Sequence, residues 1–177
     1  MTALNKPAEV FLRTNSLKID IDELIFNLKK EEILADKIES KEFSFSSALK
    51  LPVRKNVFAT QAFKSGFFEV QDAASQLVAP LLDVKPGLRV VDACAGAGGK
   101  SLHLAALMKN KGKIISLDIH EWKLKALRER ASRGGVDIIE TKLIESGKTI
   151  KRFEKSFDRV LLDVPCSGLG VLRRNPD

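Results

Sequence analysis

An acid and a thiol stand three residues apart in Arg159-Val-Leu-Leu-Asp163-Val-Pro-Cys166-Ser-Gly168-Leu-Gly170. The apolar run Val160 to Leu162 reads as a buried strand that delivers Asp163 to its C-terminal end. Pro165 stops the strand, and the glycines beyond it let a backbone approach a ligand closely. The carboxyl end of a parallel sheet is where α/β folds bind their ligands. A thiol there fits covalent attack on an electrophilic ring or carbonyl. The competing reading is a plain β-turn with a half-buried cysteine.

A second segment, Asp92-Ala-Cys94-Ala95-Gly96-Ala97-Gly98-Gly99-Lys100-Ser101, lies between an apolar run and a helical pattern. Its glycines allow close backbone approach and present the amides of a helix N-terminus. Three ligands compete for such a loop. A phosphate-binding Walker A loop needs Gly-x4-Gly-Lys-Ser/Thr; Gly99-Lys100-Ser101 fits, but Cys94 takes the first glycine position. A dinucleotide fingerprint needs Gly-x-Gly-x-x-Gly/Ala; Gly96 and Gly98 fit, but Ser101 takes the third place. The sulfonium of S-adenosylmethionine is cationic and carries no phosphate, so a strand-end carboxylate such as Asp92 favours it. Asp118 ends the next apolar run, where a carboxylate suits ribose hydroxyls; it equally suits the cap of the following helix. Lys100 is expected on the ligand side.

These residues need a scaffold, and the chain has one. From Leu88 onward strand and helix patterns alternate: Arg89 to Ala93, Gly99 to Met108, Lys113 to Asp118, Glu121 to Arg133 closed by Gly134-Gly135, Ile138 to Leu143, Gly147 to Phe153, and Phe157 to Val164. That alternation predicts a parallel, doubly wound α/β sheet with right-handed crossovers. Upstream, Val10 to Ile19 reads as a strand. Asp20-Ile-Asp-Glu23 opens a helix with Ile21, Leu24, Ile25 and Leu28 on one stripe. Residues 34 to 68 contribute two or three strands of a small α+β unit. Asp72 caps a helix carrying Leu77, Val78, Leu81 and Leu82, in which Pro80 means a kink or an early stop. We divide the chain into a small α+β domain, 1–72, and an α/β domain, 73–177; Lys85-Pro-Gly87 is the strongest turn signal near that boundary. Only four strands of the parallel sheet are present, which leaves an apolar edge and reads as a fragment of a longer protein.

The 177 residues are 44% apolar and 30% charged, enough for a packed core and too apolar for disorder. Two cysteines form no disulfide framework and fit a reducing, cytoplasmic setting. No apolar run reaches the ~20 residues of a membrane span, and no signal peptide is evident. The net charge of +7 points mildly to a polyanion such as RNA. His103 and His120 have no partners at metal spacing and read as helix-surface residues. Trp122 reads as packing or as a wall near an adenine.

In combination, Asp92 to Ser101, Ser116-Leu-Asp118 and Leu161-Leu-Asp-Val-Pro-Cys-Ser-Gly168 resemble the Sun/NOL/NOP-type RNA cytosine-5 methyltransferases. Arg13-Thr-Asn15-Ser-Leu17-Lys18, Gly66-Phe-Phe-Glu-Val-Gln71-Asp72 and Arg173-Arg174-Asn-Pro176-Asp177 also look familial, so the resemblance runs through the whole chain in order. It implies a Rossmann-like methyltransferase sheet preceded by an RNA-binding-like unit. It further implies S-adenosylmethionine wrapped by Cys94, Ala95, Gly96, Ala97, Gly98, Gly99 and Lys100, with Asp118 on the ribose. Asp163 would lie beside both cofactor and target base. Glu145 stands where the family usually has an aspartate at the adenine. The implied reaction is methyl transfer to carbon 5 of an RNA cytosine, through thiolate addition to carbon 6. The resemblance assigns attack to a thiol in a later Thr-Cys motif and gives Cys166 the release of product. Residues 1–177 alone are therefore expected to bind cofactor poorly or moderately and not to turn over. The implied partner is RNA, ribosomal rather than transfer RNA, with no membrane, no metal and a monomeric chain. The rival readings are a non-catalytic RNA-binding module and a P-loop nucleotide-binding protein.

Overall fold

The computed structural model describes residues 8–151 and 153–165, within which two four-stranded sheets follow one another. The first is antiparallel: β1 (Val10–Thr14), β2 (Asp36–Lys37), β3 (Ala48–Leu51) and β4 (Phe68–Val70), in the order β2-β3-β1-β4. β1 stops at Thr14, well short of Ile19, because Asn15 offers the backbone an alternative. Its Oδ1 accepts the Leu17 N–H at 3.2 Å, closing an Asx turn. Then α1 (Ile21–Lys30) begins as its sequence predicts. The Asp20 carboxylate accepts the N–H groups of Asp22 and Glu23, and Leu24 and Leu28 are buried against Leu12, Leu49 and Phe68. A short helix that the pattern did not predict, α2 (Gln61–Lys64), is capped by Thr60.

Asp72 caps α3 (Ala73–Val78), and Pro80 ends it by opening a 3-10 turn, Pro80–Leu82. The change of helical phase turns Leu81 outward, 82% exposed, off the predicted stripe. α3 touches both layers: the Gln76 side chain donates to Leu12 O in β1 at 3.2 Å, while Val78 and Ala79 pack into the core of the second sheet.

The second sheet is parallel: β5 (Arg89–Asp92), β6 (Lys113–Asp118), β7 (Ile139–Leu143) and β8 (Arg159–Leu161), in the order β7-β6-β5-β8. Between them run α4 (Gly99–Leu107), α5 (Glu121–Gly134) and α6 (Gly147–Lys151). The α/β expectation holds. The core on one face is Val90, Leu104, Met108, Ile114 and Leu161. Phe153 and Phe157 pack over Val91, Ile115 and Leu117 on the other. Strand order reverses at β5, since β6 lies on one side of it and β8 on the other. This is a topological switch point, the crevice where open α/β sheets bind ligands. β8 is shorter than predicted, and among the described residues it is an edge strand. Leu161 alone is buried in it, whereas Val160 is 62% and Leu162 67% exposed, so the run Val160 to Leu162 is not a fully buried strand. No helix among the described residues is long and apolar enough to cross a membrane.

The two layers meet at the C-terminus of α5, where Gly135 takes the left-handed conformation of a helix stop. The last carbonyls of that helix are capped from the first layer. Lys18 Nζ donates to Arg133 O at 2.8 Å, and Asn15 Nδ2 donates to Gly134 O at 2.8 Å and Gly66 O at 2.9 Å. A cation at this end also complements the helix dipole. Gly66 permits the approach: it has φ +71°, and a methyl group there would overlap the Arg133 carbonyl. Gly66→Ala is therefore expected to cost about 2–4 kcal/mol, lowering the melting temperature by roughly 5–15 °C. A thermal melt of the variant indistinguishable from the parent would refute this account of the junction.

Candidate active site

The loop from Ala93 to Gly98 joins β5 to α4 at the switch point, and few of its own side chains can define its shape. Backbone contacts do so first. The Ala95 N–H donates to Leu117 O and the Gly98 N–H to Ala95 O, each at 2.9 Å. Gly96 (φ +54°) and Gly98 (φ +86°) occupy the left-handed region. They differ in what surrounds them. A methyl on Gly98 would run into the Leu127 side chain of α5, so this glycine serves close packing. A methyl on Gly96 would meet nothing, so its outer face is open. Ala95 is buried with Leu102, Leu127 and Ala131 and can offer a ligand only its backbone.

Carboxylates crowd this loop. Asp118, at the end of β6, accepts the Gly96 N–H on Oδ2 at 2.9 Å and the His120 N–H on Oδ1 at 2.8 Å. It thus tethers the loop and fixes the turn that leads into α5. Asp92 is buried at the end of β5, with Oδ2 accepting the Ser101 hydroxyl at 2.7 Å, and Ser101 Oγ in turn accepts from Ser116 at 2.9 Å. Asp92 Oδ1 is buried without a hydrogen bond of acceptable geometry, although the nearby Cys94 N–H favours its ionised form. Burial outweighs these donors and raises the Asp92 carboxyl above the ordinary range. Asp163 lies two residues past β8 and is half-exposed, its Oδ2 paired with Lys100 Nζ at 2.5 Å. Cys94 is partly buried, and burial together with Asp92, Asp118 and Asp163 pushes its thiol up. The loop cysteine is therefore held as a neutral thiol, the wrong state for a nucleophile.

These contacts separate the three ligands left open by the sequence. A P-loop needs its lysine on phosphate and its Ser hydroxyl free for Mg²⁺. Here Lys100 is on Asp163, and Ser101 is fully buried on Asp92. Three carboxylates around one loop repel a polyphosphate and attract a cation. The arrangement suits a positively charged ligand with hydroxyl groups.

Other predicted site residues stand apart. Glu145 follows β7 by two residues and is exposed, with no hydrogen bond or ion pair among the described residues. Cys166 lies outside the described residues. Trp122 is 67% exposed beside His120, with ring centroids 6.1 Å apart, so it is not core packing. His120 is exposed as expected, but His103 is buried, 5% exposed, because α4 turns that face toward Arg13. Arg13, Glu69, Gln71 and Arg130 went unmarked as site residues, and all reach the loop or its supports. Arg13 Nη1 donates to Gly99 O at 2.6 Å and Gln71 Oε1 at 2.8 Å, while Arg130 Nη1 donates to Ala97 O at 2.7 Å. The one available signal was an arginine inside an otherwise apolar strand.

Comparison with known proteins agrees with this geometry. The family profile described as "16S rRNA methyltransferase RsmB/F" matches residues 79–177. The chain is 43% identical over 172 residues to the probable ribosomal RNA small subunit methyltransferase B of Bacillus subtilis, covering 97% of this chain and 37% of that protein. It is 32% identical over 172 residues to the 26S rRNA (cytosine-C(5))-methyltransferase nsun-1 of Caenorhabditis elegans, covering 97% of this chain and 26% of that one. A methyltransferase homologue from Pyrococcus horikoshii superposes with a TM-score of 0.83 at 32% identity, over 98% of this chain and 55% of its own. The chain thus spans well under half of the curated relatives.

The buried His103 has a consequence in solution. Burial first, then the charge of Arg13, lowers its pKa from 6.5 to about 3. Between those values the unfolded chain binds a proton that the folded chain refuses. The His103 contribution to stability is thus complete above about pH 6.5 and is lost as pH falls toward 3. His103→Gln is expected to lose fewer degrees of melting temperature than the parent between roughly pH 7 and pH 4.5. Equal losses in the two proteins would show that His103 titrates normally.

Proposed function

The chain belongs to the 16S rRNA methyltransferase RsmB/F family, and from that membership we propose that it is the cofactor-binding part of an RNA cytosine-5 methyltransferase. The observation that carries the reading is the set of three carboxylates, Asp92, Asp118 and Asp163, around an open glycine loop at the sheet's switch point. S-adenosylmethionine, when bound, supplies a methyl group made electrophilic by its sulfonium. The residues present fit it. Asp118 keeps lone pairs free for ribose hydroxyls after accepting two amides. The open face of Gly96 leaves room for the adenosine and methionine, and the backbone from Cys94 to Lys100 lines that side. Glu145, past β7, is assigned to the adenine end.

Carbon 5 of cytosine is a weak nucleophile until a thiolate adds to carbon 6. A base must afterwards remove the carbon-5 proton, and the thiolate must leave. Asp163 sits just past β8, where its pairing with Lys100 holds it beside the loop, and it is assigned to the side of cofactor and base. Cys94, whose thiol is pushed up by burial and the surrounding carboxylates, is not assigned to attack. Cys166 is assigned to product release, and attack to the Thr-Cys thiol that the family resemblance implies, which lies outside residues 1–177. The base itself must be unstacked from its RNA to reach such a site. The antiparallel layer, residues 8–72, is assigned to RNA contact. Ribosomal RNA is the proposed target, in keeping with the family description, and the cytoplasm the proposed place of action.

Calorimetry on residues 1–177 with S-adenosylhomocysteine, ATP and NAD tests this reading. Saturable binding of S-adenosylhomocysteine alone is expected, and Asp118→Asn should weaken it on the order of ten-fold or more, the loss of a charged hydrogen-bond acceptor. Binding of ATP with no response to S-adenosylhomocysteine would overturn it.

A further inference from the structure

The two carbonyls at the turn into α4 are held by guanidinium groups anchored on the antiparallel sheet. Arg13, in β1 and 2% exposed, reaches Gly99 O, and its other partner is Gln71, just past β4. Arg130, in α5, reaches Ala97 O. Its Nε and Nη2 both bind Glu69 Oε2 in β4, at 3.1 and 2.8 Å. The other oxygen of Glu69 takes Arg133 Nη2 at 2.5 Å, and Arg133 Nη1 donates to Phe63 O at 2.9 Å. Two arginines, Arg130 and Arg133, thus share one buried carboxylate, Arg13 is held by Gln71, and a backbone carbonyl accepts from each of the three. A buried charge cluster of this kind is a poor source of stability, since desolvation offsets its attractions. What it can do is fix geometry through short, charge-assisted bonds.

Peptide planarity carries that geometry across the loop. In a trans peptide the C=O and the next N–H point in opposite directions. Holding Gly99 O from the antiparallel sheet therefore aims the Lys100 N–H the other way, in the first turn of α4, where amides lack helical partners. Holding Ala97 O likewise sets the Gly98 N–H, which closes the turn onto Ala95 O. We propose that Arg13 and Arg130, anchored by Gln71 and Glu69, are positioning residues through which the antiparallel sheet sets the shape of the cofactor loop and so its affinity. The proposal rests on the reading that this loop binds S-adenosylmethionine.

The test compares parent, Arg130→Met, Arg130→Lys and Arg13→Met in residues 1–177. S-adenosylhomocysteine affinity is measured by calorimetry, and exchange of the amides from Gly96 to Lys100 is measured without ligand. Arg130→Met is the principal variant because its side chain is a quarter exposed and Glu69 keeps Arg133 as a partner without it. It should weaken binding on the order of ten-fold and speed exchange of the loop amides by a similar factor, with Leu24 and Leu28 in α1 unchanged. Arg130→Lys, which keeps a charged donor, should restore part of both. Arg13→Met, if it folds, should do the same as Arg130→Met. A folded Arg130→Met with parental affinity and parental loop exchange overturns the proposal. A parent that fails to bind S-adenosylhomocysteine overturns the underlying reading instead. In that case faster loop exchange in the variant shows that the arginines hold a loop that is not a cofactor site.

Discussion

A glycine loop cannot hold its own shape, and the rest of this molecule is arranged around that constraint. Residues 95 to 99 carry nothing larger than a methyl side chain, so apart from the Gly98 N–H to Ala95 O bond the restraints on them come from elsewhere. β6 supplies two, the Leu117 carbonyl and the Asp118 carboxylate. α5 supplies two more, with Leu127 against Gly98 and Arg130 on the Ala97 carbonyl. The antiparallel layer supplies Arg13 and the Glu69 that orients Arg130. Backbone entropy makes such a loop costly to order. Ordering it from several elements at once means that cost is met on folding rather than on binding a ligand.

This arrangement explains why the two layers are tied so closely despite separate apolar cores. The core around Leu12, Leu28 and Phe68 does not share a buried residue with the core around Val90, Leu104 and Ile114. What joins them is polar: Asn15 and Lys18 on the end of α5, Gln76 on β1, and the arginine cluster on Glu69. Polar junctions are directional where apolar ones are not. A rigid relation between the antiparallel sheet and the loop requires that directionality.

Much of the scaffold was legible from local patterns because its causes are local. Asp20 and Asp72 cap helices through amides two and three residues away, Pro80 ends α3 by its own ring, and Gly135 closes α5 by its own conformation. The spacing of Asp92, the glycine loop and Asp118 likewise follows from a strand-loop-helix-strand unit. What was not legible depends on partners far along the chain. His103 looks like a surface residue of α4 until β1 packs Arg13 beside it. Arg13 itself meets Gly99, 86 residues away, and Glu69 meets Arg130 across 61. Nor does an apolar triplet reveal that Leu161 alone is turned inward in β8.

The distribution of charge gives the last step. The chain carries a net charge of +7, yet the surroundings of its loop are acidic. Positive charge is kept close but turned away: Arg13 and Arg130 spend their donors on the loop's carbonyls and on Gln71 and Glu69, and Lys100 is spent on Asp163. A basic exterior raises the local concentration of a polyanion, whereas an acidic crevice favours a small cation. On the proposed reading the two ligands have opposite charge and must meet at one cytosine. Segregating the fields lets each be attracted without excluding the other. On that reading the Lys100–Asp163 pair lies beside the loop toward which both ligands would be drawn.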